Sequence, residues 1–251
     1  MTARRERIAR AFARAPDYDR QARVQRIVAE GLAARIAALD LPQAPRVLEI
    51  GCGTGFLTQA LIDRGLGGLW TVTDIAPEMV ERCRARIGES PHRHFTVFDG
   101  EHGAPEQAPF DLVCSSLALQ WFDDAPAALG RMRGWLAPGG HCMVTTLGSG
   151  SFAEWRAAHE AEGLAPGTPD FPPVEAFAAL GPESLHVETH VERHKDARAF
   201  LRALKAIGAG TATPRHRPLP PAALRRVMAG FDRAGNVVTY EVVTCHLHRA
   251  S

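Results

Sequence analysis

Val47-Leu48-Glu49-Ile50-Gly51-Cys52-Gly53-Thr54-Gly55 is an apolar run that ends in a turn with glycine at every second position. Val47, Leu48 and Ile50 read as a core strand, and residues 56–64 beyond the turn read as a helix. Gly51, Gly53 and Gly55 remove side chains where backbone has to pass close to a ligand at the carboxyl end of that strand. Nineteen residues later a second strand, Trp70-Thr71-Val72-Thr73-Asp74, closes on a carboxylate. Asp74 is suited to accept two hydrogen bonds from vicinal ribose hydroxyls, and it also reads as an N-cap for a helix from about Pro77. Strand, glycine turn and distal acid together predict an enzyme that holds a nucleoside-type cofactor at the ends of parallel strands.

Glycine spacing separates the two cofactors that use this architecture. A dinucleotide fingerprint wants G-x-G-x-x-G, whereas Gly51, Gly53 and Gly55 are evenly spaced and follow the acidic Glu49. This E-x-G-x-G-x-G pattern resembles motif I of class I S-adenosylmethionine-dependent methyltransferases. The resemblance implies that the turn wraps the methionine end of S-adenosyl-L-methionine and that Glu49 orients its ammonium group.

Later segments extend the pattern. His94-Phe95-Thr96-Val97-Phe98-Asp99-Gly100 ends a third strand on an acid, which the family places against the adenine amino group. Phe110-Asp111-Leu112-Val113-Cys114-Ser115-Ser116 reads as the fourth strand, and Leu117-Ala118-Leu119-Gln120-Trp121-Phe122 as a helix start beside the methyl donor. A helix over 125–135 stops at Leu136-Ala137-Pro138-Gly139-Gly140, and the fifth strand covers 141–146. The resemblance also adds Ile75, Met79, Gly100 and Ser115 to the cofactor-binding positions.

Beyond the core, helices are expected at 149–162, 174–180, 196–207 and 220–231, with strands at 184–193 and 237–248. The predicted fold is α/β and Rossmann-like, a seven-stranded, mostly parallel sheet with an antiparallel last strand and helices on both faces. A single domain is read as an N-terminal helical lid (1–43), a cofactor-binding core (44–147), and lid helices with the last two strands (148–251).

A closer resemblance spans nearly the whole chain. Ala11-Phe12-Ala13-Arg14-Ala15-Pro16-Asp17-Tyr18-Asp19, Leu117-Ala118-Leu119-Gln120-Trp121, Thr146-Leu147-Gly148-Ser149-Gly150-Ser151, Lys205-Ala206-Ile207-Gly208-Ala209 and Thr239-Tyr240-Glu241-Val242-Val243 are similar to the malonyl-acyl-carrier-protein O-methyltransferases of biotin synthesis. Asp99-Gly100-Glu101-His102-Gly103 departs from that family's D-A-E-x-L-P. The resemblance implies O-methylation of a malonyl carboxylate carried on acyl carrier protein or coenzyme A. Tyr18 in the lid and Arg156 after the fifth strand are the expected carboxylate-holding groups, with Gln120 lining the pocket. Other readings on this scaffold are a small-molecule or quinone methyltransferase, and a methyltransferase-like assembly factor or hydroxylase acting on a protein.

Composition sets the remaining bounds. With 251 residues, 45% of them hydrophobic, the chain can bury a sizeable core, and no apolar run is long enough for a bilayer. The N-terminus has no signal-peptide pattern, so a cytoplasmic location is expected; a monomer is one reading, the oligomeric state not being fixed by the sequence. Five cysteines without a C-x-x-C pair read as reduced thiols. His186, Glu188, His190, Glu192 and His194 alternate with apolar residues and read as the wet face of an edge strand, with no metal site expected there or at His92 and His94. Net charge is +1, yet residues 1–26 hold eight arginines against three acids, and residues 196–230 hold seven Lys/Arg against one acid. Such basic rims suit an acidic carrier protein better than nucleic acid, for which no module is present; solvated helices, or a disordered arm at Arg4, Arg5 and Arg7, are the plainer alternative.

Overall fold

The computed structural model describes residues 3–13, 18–209 and 216–251. Arg14 to Asp17 of the N-terminal motif, and Arg215 of the second basic stretch, lie outside the described residues.

In chain order the elements are α1 (Ala3–Ala13), α2 (Tyr18–Gln21), α3 (Arg23–Ile36), β1 (Arg46–Ile50), α4 (Phe56–Asp63), β2 (Leu69–Asp74), α5 (Pro77–Ile87), β3 (Arg93–Val97), β4 (Phe110–Ser116), α6 (Ala125–Arg133), β5 (Leu136–Leu147), α7 (Ala153–Glu160), α8 (Val174–Ala178), β6 (Ser184–Arg193), α9 (Ala197–Ala206), α10 (Pro221–Arg233) and β7 (Val237–His248). The seven strands form one sheet in the order β3-β2-β1-β4-β5-β7-β6. β1 to β5 pair in parallel, and β7 lies antiparallel between β5 and β6.

Strand alternation divides the core. Val47, Trp70, Val72, Phe95, Leu112 and Cys114 point to the face covered by α3, α4 and α5. Leu48, Ile50, Val113, Cys142, Val144 and Val243 point to the other face, against α6 and α8. A third cluster, with Phe152, Trp155, Phe200, Phe231 and Tyr240, joins α7, α9 and α10 to the far end of the sheet. All five cysteines are buried and unpaired. No helix among the described residues is long and apolar enough to cross a membrane.

Several local expectations change. The P-G-G segment does not end before the fifth strand but is part of it: Leu136 pairs with Phe110, and the register shifts before Leu112 meets His141. Residues 119–121 form a single 3₁₀ turn rather than a helix start. The N-cap of α5 is Ala76, not Asp74, although Asp74 still accepts the Ala76 N–H. Residues 3–13 are helical, and Arg5 is buried rather than part of a disordered arm.

On β6 the face reading holds at the start, where His186 and Glu188 are exposed, and fails further along. Val187 and Val191 are exposed, whereas Glu192 accepts a hydrogen bond from the Tyr240 hydroxyl and the His194 ring lies 5.3 Å from that of Phe200. Phe200 of α9 packs on the residue just past this strand, so the period was legible but the side its second half faced was not.

Candidate active site

The sheet order reverses between β1 and β4, so the turns that follow them diverge and open a crevice at the carboxyl ends of the strands. Its walls include Glu49, Gly51, Gly53, Asp74, Ile75, Met79, Asp99 and Gly100. Motif spacing therefore brought these eight predicted positions together.

Glycine is required at two of them. Gly51 has φ +69°, and a Cβ there would collide with that of Ala118. At Gly100 the space for a Cβ is filled by Cγ2 of Ile50. The β-branched residue at the end of β1 thus occupies the volume a methyl at position 100 would need.

Gly55 and Ser115 stand outside the lining. Gly55 is the left-handed N-cap of α4, and a Cβ on it would lie 3.0 Å from Cys83 Sγ. Ser115 is fully buried and donates to the Ile50 carbonyl at 2.8 Å, tying β4 to β1, while the next residue, Ser116, faces the crevice.

Two carboxylates dominate the electrostatics. Thr58 donates its hydroxyl to Glu49 Oε2 at 2.7 Å. Gly53 and Ala76 donate backbone N–H groups to the two oxygens of Asp74, each at 2.9 Å. Burial pushes Glu49 up from 4.5 to about 7, with Asp74 adding to the rise and Thr58 opposing it. Burial also raises Asp74, against the three backbone N–H groups of Gly53, Ile75 and Ala76 that favour its ionised form. Buried acids held this way favour a cationic ligand, whose charge would offset the cost of ionising them.

Tyr18 connects this crevice to a second cavity. Its ring stacks on Phe56 with centroids 6.2 Å apart and meets Phe12 edge-on at 6.4 Å. Its neighbour Asp19 accepts from the Thr54 hydroxyl at 2.7 Å and pairs with Arg86, which pins α2 to the glycine turn. Phe12, Tyr18, Gln25, Leu117 and Trp121 wall both spaces, and the second is completed by Gln120, Leu147, Phe152, Pro169, Phe171, Leu204, Ile207, Ala209 and Tyr240. Gln120 donates its amide to the Leu117 carbonyl at 2.6 Å and leaves its own buried carbonyl oxygen unpartnered among the described residues.

Arg156 is not among the residues lining either space. Its guanidinium donates to the carbonyls of Ser149 and Ser151. Those serines belong to a turn that wraps Glu241 of β7, whose carboxylate accepts the Gly150 N–H at 2.8 Å. A Cβ at Gly148 or Gly150 would run into the same carboxylate. At the lid, Gly208 has φ +72° and lets the end of α9 lie against the Phe12 backbone. The segments 146–151, 239–243 and 205–209 thus converge on the second cavity and its cover.

Sequence reasoning passed over Arg5, Ile8, Gln25, Phe98, Glu101 and Phe122, which also line the crevice. Arg5, Ile8 and Phe12 recur at helical spacing, a signal that was present but unassigned.

Comparisons with known proteins follow this geometry. A family profile described as a methyltransferase domain matches residues 4–209. The biotin biosynthesis bifunctional protein BioCD of Bordetella avium is 49% identical over 93% of this chain, which spans 50% of that protein's length. The malonyl-[acyl-carrier protein] O-methyltransferase of Magnetococcus marinus is 41% identical, with 96% of this chain and 91% of that one covered. A solved phosphoethanolamine N-methyltransferase 2 of Haemonchus contortus, in complex with S-adenosylhomocysteine, shares the fold at a TM-score of 0.55 and 16% identity, covering 88% of this chain and 52% of that one.

Proposed function

Because this chain belongs to the family of malonyl-[acyl-carrier protein] O-methyltransferases, we propose that it uses S-adenosyl-L-methionine to esterify the free carboxylate of a malonyl thioester. The ester would enter biotin assembly, in keeping with the name of the Bordetella relative. The observation that carries the cofactor assignment is the pair of buried acids at the ends of β1 and β2.

When bound, the cofactor supplies a methyl group made electrophilic by its sulfonium. Asp74 would hold the ribose hydroxyls, its own orientation fixed by the N–H groups of Gly53 and Ala76. Glu49 would face the ammonium group, and Asp99 the adenine amino group. Gly51 and Gly53 leave room for the methionine end, while Ile75, Met79 and Gly100 form the walls around the nucleoside. Gly55 and Ser115 act from behind, by shaping the turn and fixing β4 against β1.

A malonyl carboxylate is ionised near neutral pH, so it needs no general base. The protein's contribution is to align one carboxylate oxygen with the methyl group in a space that excludes water. Tyr18 is suited to that task because it walls both the cofactor crevice and the acceptor cavity. Burial raises its phenol far above the ordinary value, with Asp74 adding to the effect, so it would serve as a neutral hydrogen-bond donor. Arg156 would reach the carboxylate only by leaving the carbonyls of Ser149 and Ser151. Gln120, with its N–H committed to Leu117, would offer an acceptor to an N–H on the substrate arm.

The acceptor cavity shares Phe152, Pro169, Leu204 and Ala209 with a groove that is also lined by Lys205. Arg198, Arg202, Lys205 and Arg225 are exposed on α9 and α10. An acidic carrier protein docking on this rim in the cytoplasm, with its acyl arm in the groove, is the presentation this arrangement favours. The deciding experiment incubates the protein with S-adenosylmethionine and malonyl-carrier protein, with acetyl-carrier protein as control, and reads intact mass. A single added methyl on the malonyl form alone is the expected result; methylation of both, or of neither, would overturn the acceptor assignment.

A further inference from the structure

Arg5 is 5% exposed, an unusual degree of burial for an arginine on the first helix of a chain. Its guanidinium donates to Asp99 Oδ2 at 2.7 Å, pairs with the buried carboxylate of Glu101, and lies 3.5 Å from Asp123 Oδ2 and 2.9 Å from His102 Nδ1. Glu101 is itself anchored, since its other oxygen accepts the N–H groups of Asp123 and Asp124 at 2.9 and 2.8 Å. Three carboxylates therefore converge on one cation. Arg131, the nearby basic residue on α6, donates to the backbone carbonyl of Glu101.

The consequence falls on Asp99. Its Oδ1 accepts the N–H groups of Glu101 and His102 at 3.0 and 3.1 Å, and its Oδ2 accepts from Arg5. A carboxylate has about four acceptor positions, so one remains for a ligand, and its direction is set by the other three. The same helix carries Ile8 and Phe12 into the crevice wall, packs Ala9 against Ala76 and Met79, and sets Phe12 edge-on to Trp121 with centroids 5.3 Å apart.

We propose that Arg5 is a positioning residue for the adenine end of the cofactor. It fixes the free acceptor of Asp99 and, through the same contacts, fastens α1 over the crevice. This rests on the reading of the crevice as an S-adenosylmethionine site. The fork of Arg5 bridges two carboxylates at once, which the point charge of a lysine cannot reproduce. Loss of the fork leaves Asp99 held by its two backbone donors alone and removes one polar attachment of α1, the other being the bond from Arg82 to the Ala13 carbonyl, so the nucleoside binds more weakly and leaves faster.

The test measures S-adenosylhomocysteine binding and dissociation on the full chain, for wild type, Arg5→Lys, Arg5→Ala, Asp99→Asn and the Arg5→Ala/Asp99→Asn double variant. Affinity should drop by roughly ten- to a hundredfold in Arg5→Ala, as for loss of a charge-assisted bond, and by less in Arg5→Lys. Losses in the double variant should be smaller than the product of the single losses. Hydrogen exchange should rise over residues 5–13 in Arg5→Ala and be slowed by ligand in wild type. The Glu49→Gln loss, at the other end of the crevice, should instead multiply with that of Arg5→Ala. If Arg5→Ala does not fold, Arg5→Lys and Asp99→Asn are read by the same criteria. Wild-type affinity and off-rate in the Arg5 variants, or independent losses at positions 5 and 99, would overturn the proposal. A wild type that binds no S-adenosylhomocysteine would instead overturn the cofactor reading.

Discussion

The turns after β1 and after β5 are both rich in glycine, yet their glycines make room for different things. Gly51 and Gly53 open onto the crevice, and Gly51 also gives way to Ala118 in the neighbouring turn. Gly148 and Gly150 face the carboxylate of Glu241, a side chain of this protein 91 positions further along from Gly150. One loop is shaped for a ligand and the other for a strand. The nucleoside side is thus built mostly from strand ends close in sequence, whereas the acceptor side joins α1, α2, α3, the N-cap of α7, α9 and β7. Of the three glycines after β1, Gly53 alone leaves its vacated volume to the crevice, since Ala118 and Cys83 take those at Gly51 and Gly55.

The strongest way to break this contrast is to add a methyl group on each side. Gly51→Ala combines a left-handed backbone, costing about 1–3 kcal/mol, with a collision against Ala118, and should abolish S-adenosylhomocysteine binding by calorimetry. Gly148→Ala should leave cofactor binding measurable while esterification of the malonyl thioester is lost. Loss of cofactor binding in both would mean that the two sides are not separable.

Charge deletion comes next. Asp74→Ala should weaken cofactor affinity by about 1–3 kcal/mol, as expected when hydroxyls lose an ionised partner. Arg156→Ala should leave that affinity within about 0.5 kcal/mol and raise KM for the malonyl thioester. An unchanged KM would confine Arg156 to holding the turn at Ser149 and Ser151.

A pH series sharpens the picture on the nucleoside side. With its folded pKa raised from 4.5 to about 7, Glu49 binds a proton more tightly in the folded state than in the unfolded one. Its contribution to stability is full below pH 4.5 and is lost as pH rises through that window to about 7. A cationic ligand reverses the preference by stabilising the ionised form. Cofactor affinity should therefore rise with pH up to about 7, by at most roughly tenfold per unit, with proton release on binding. Glu49→Gln should flatten the curve, which titrations in buffers of different ionisation heat would show.

The smallest effect concerns docking. Raising salt should reduce use of malonyl-carrier protein by a few-fold, roughly, while hardly affecting malonyl-coenzyme A. Equal sensitivity of the two would remove the role given to Arg198, Arg202, Lys205 and Arg225.

Legibility in the sequence follows the same division. Asp74 and the turn after β1 could be placed because strand period and glycine spacing act over a few residues. The bounds of β6 and β7 were likewise readable from alternation. Ser115 stands outside the crevice lining because alternation along β4 turns its hydroxyl to Ile50 and presents Ser116 there. Arg5 was read only as basic charge, since its partner Asp99 lies 94 residues away and no local pattern announces the pair. The exposed valines of β6 misled for a related reason, as the contact between His194 and Phe200 of α9 exists only in the fold.

The interior place of β7 has a consequence for biosynthesis. While the ribosome is still making the chain, β5 has a bare edge and β6 has no neighbour, because the twelve-residue strand that joins them is the last of the seven to emerge. A nascent chain halted before Val237 would already possess Glu49, Asp74 and Asp99, yet would expose an unpaired edge of the kind that recruits chaperones or other copies. The wall that Tyr240 gives the second cavity would still be missing at that point.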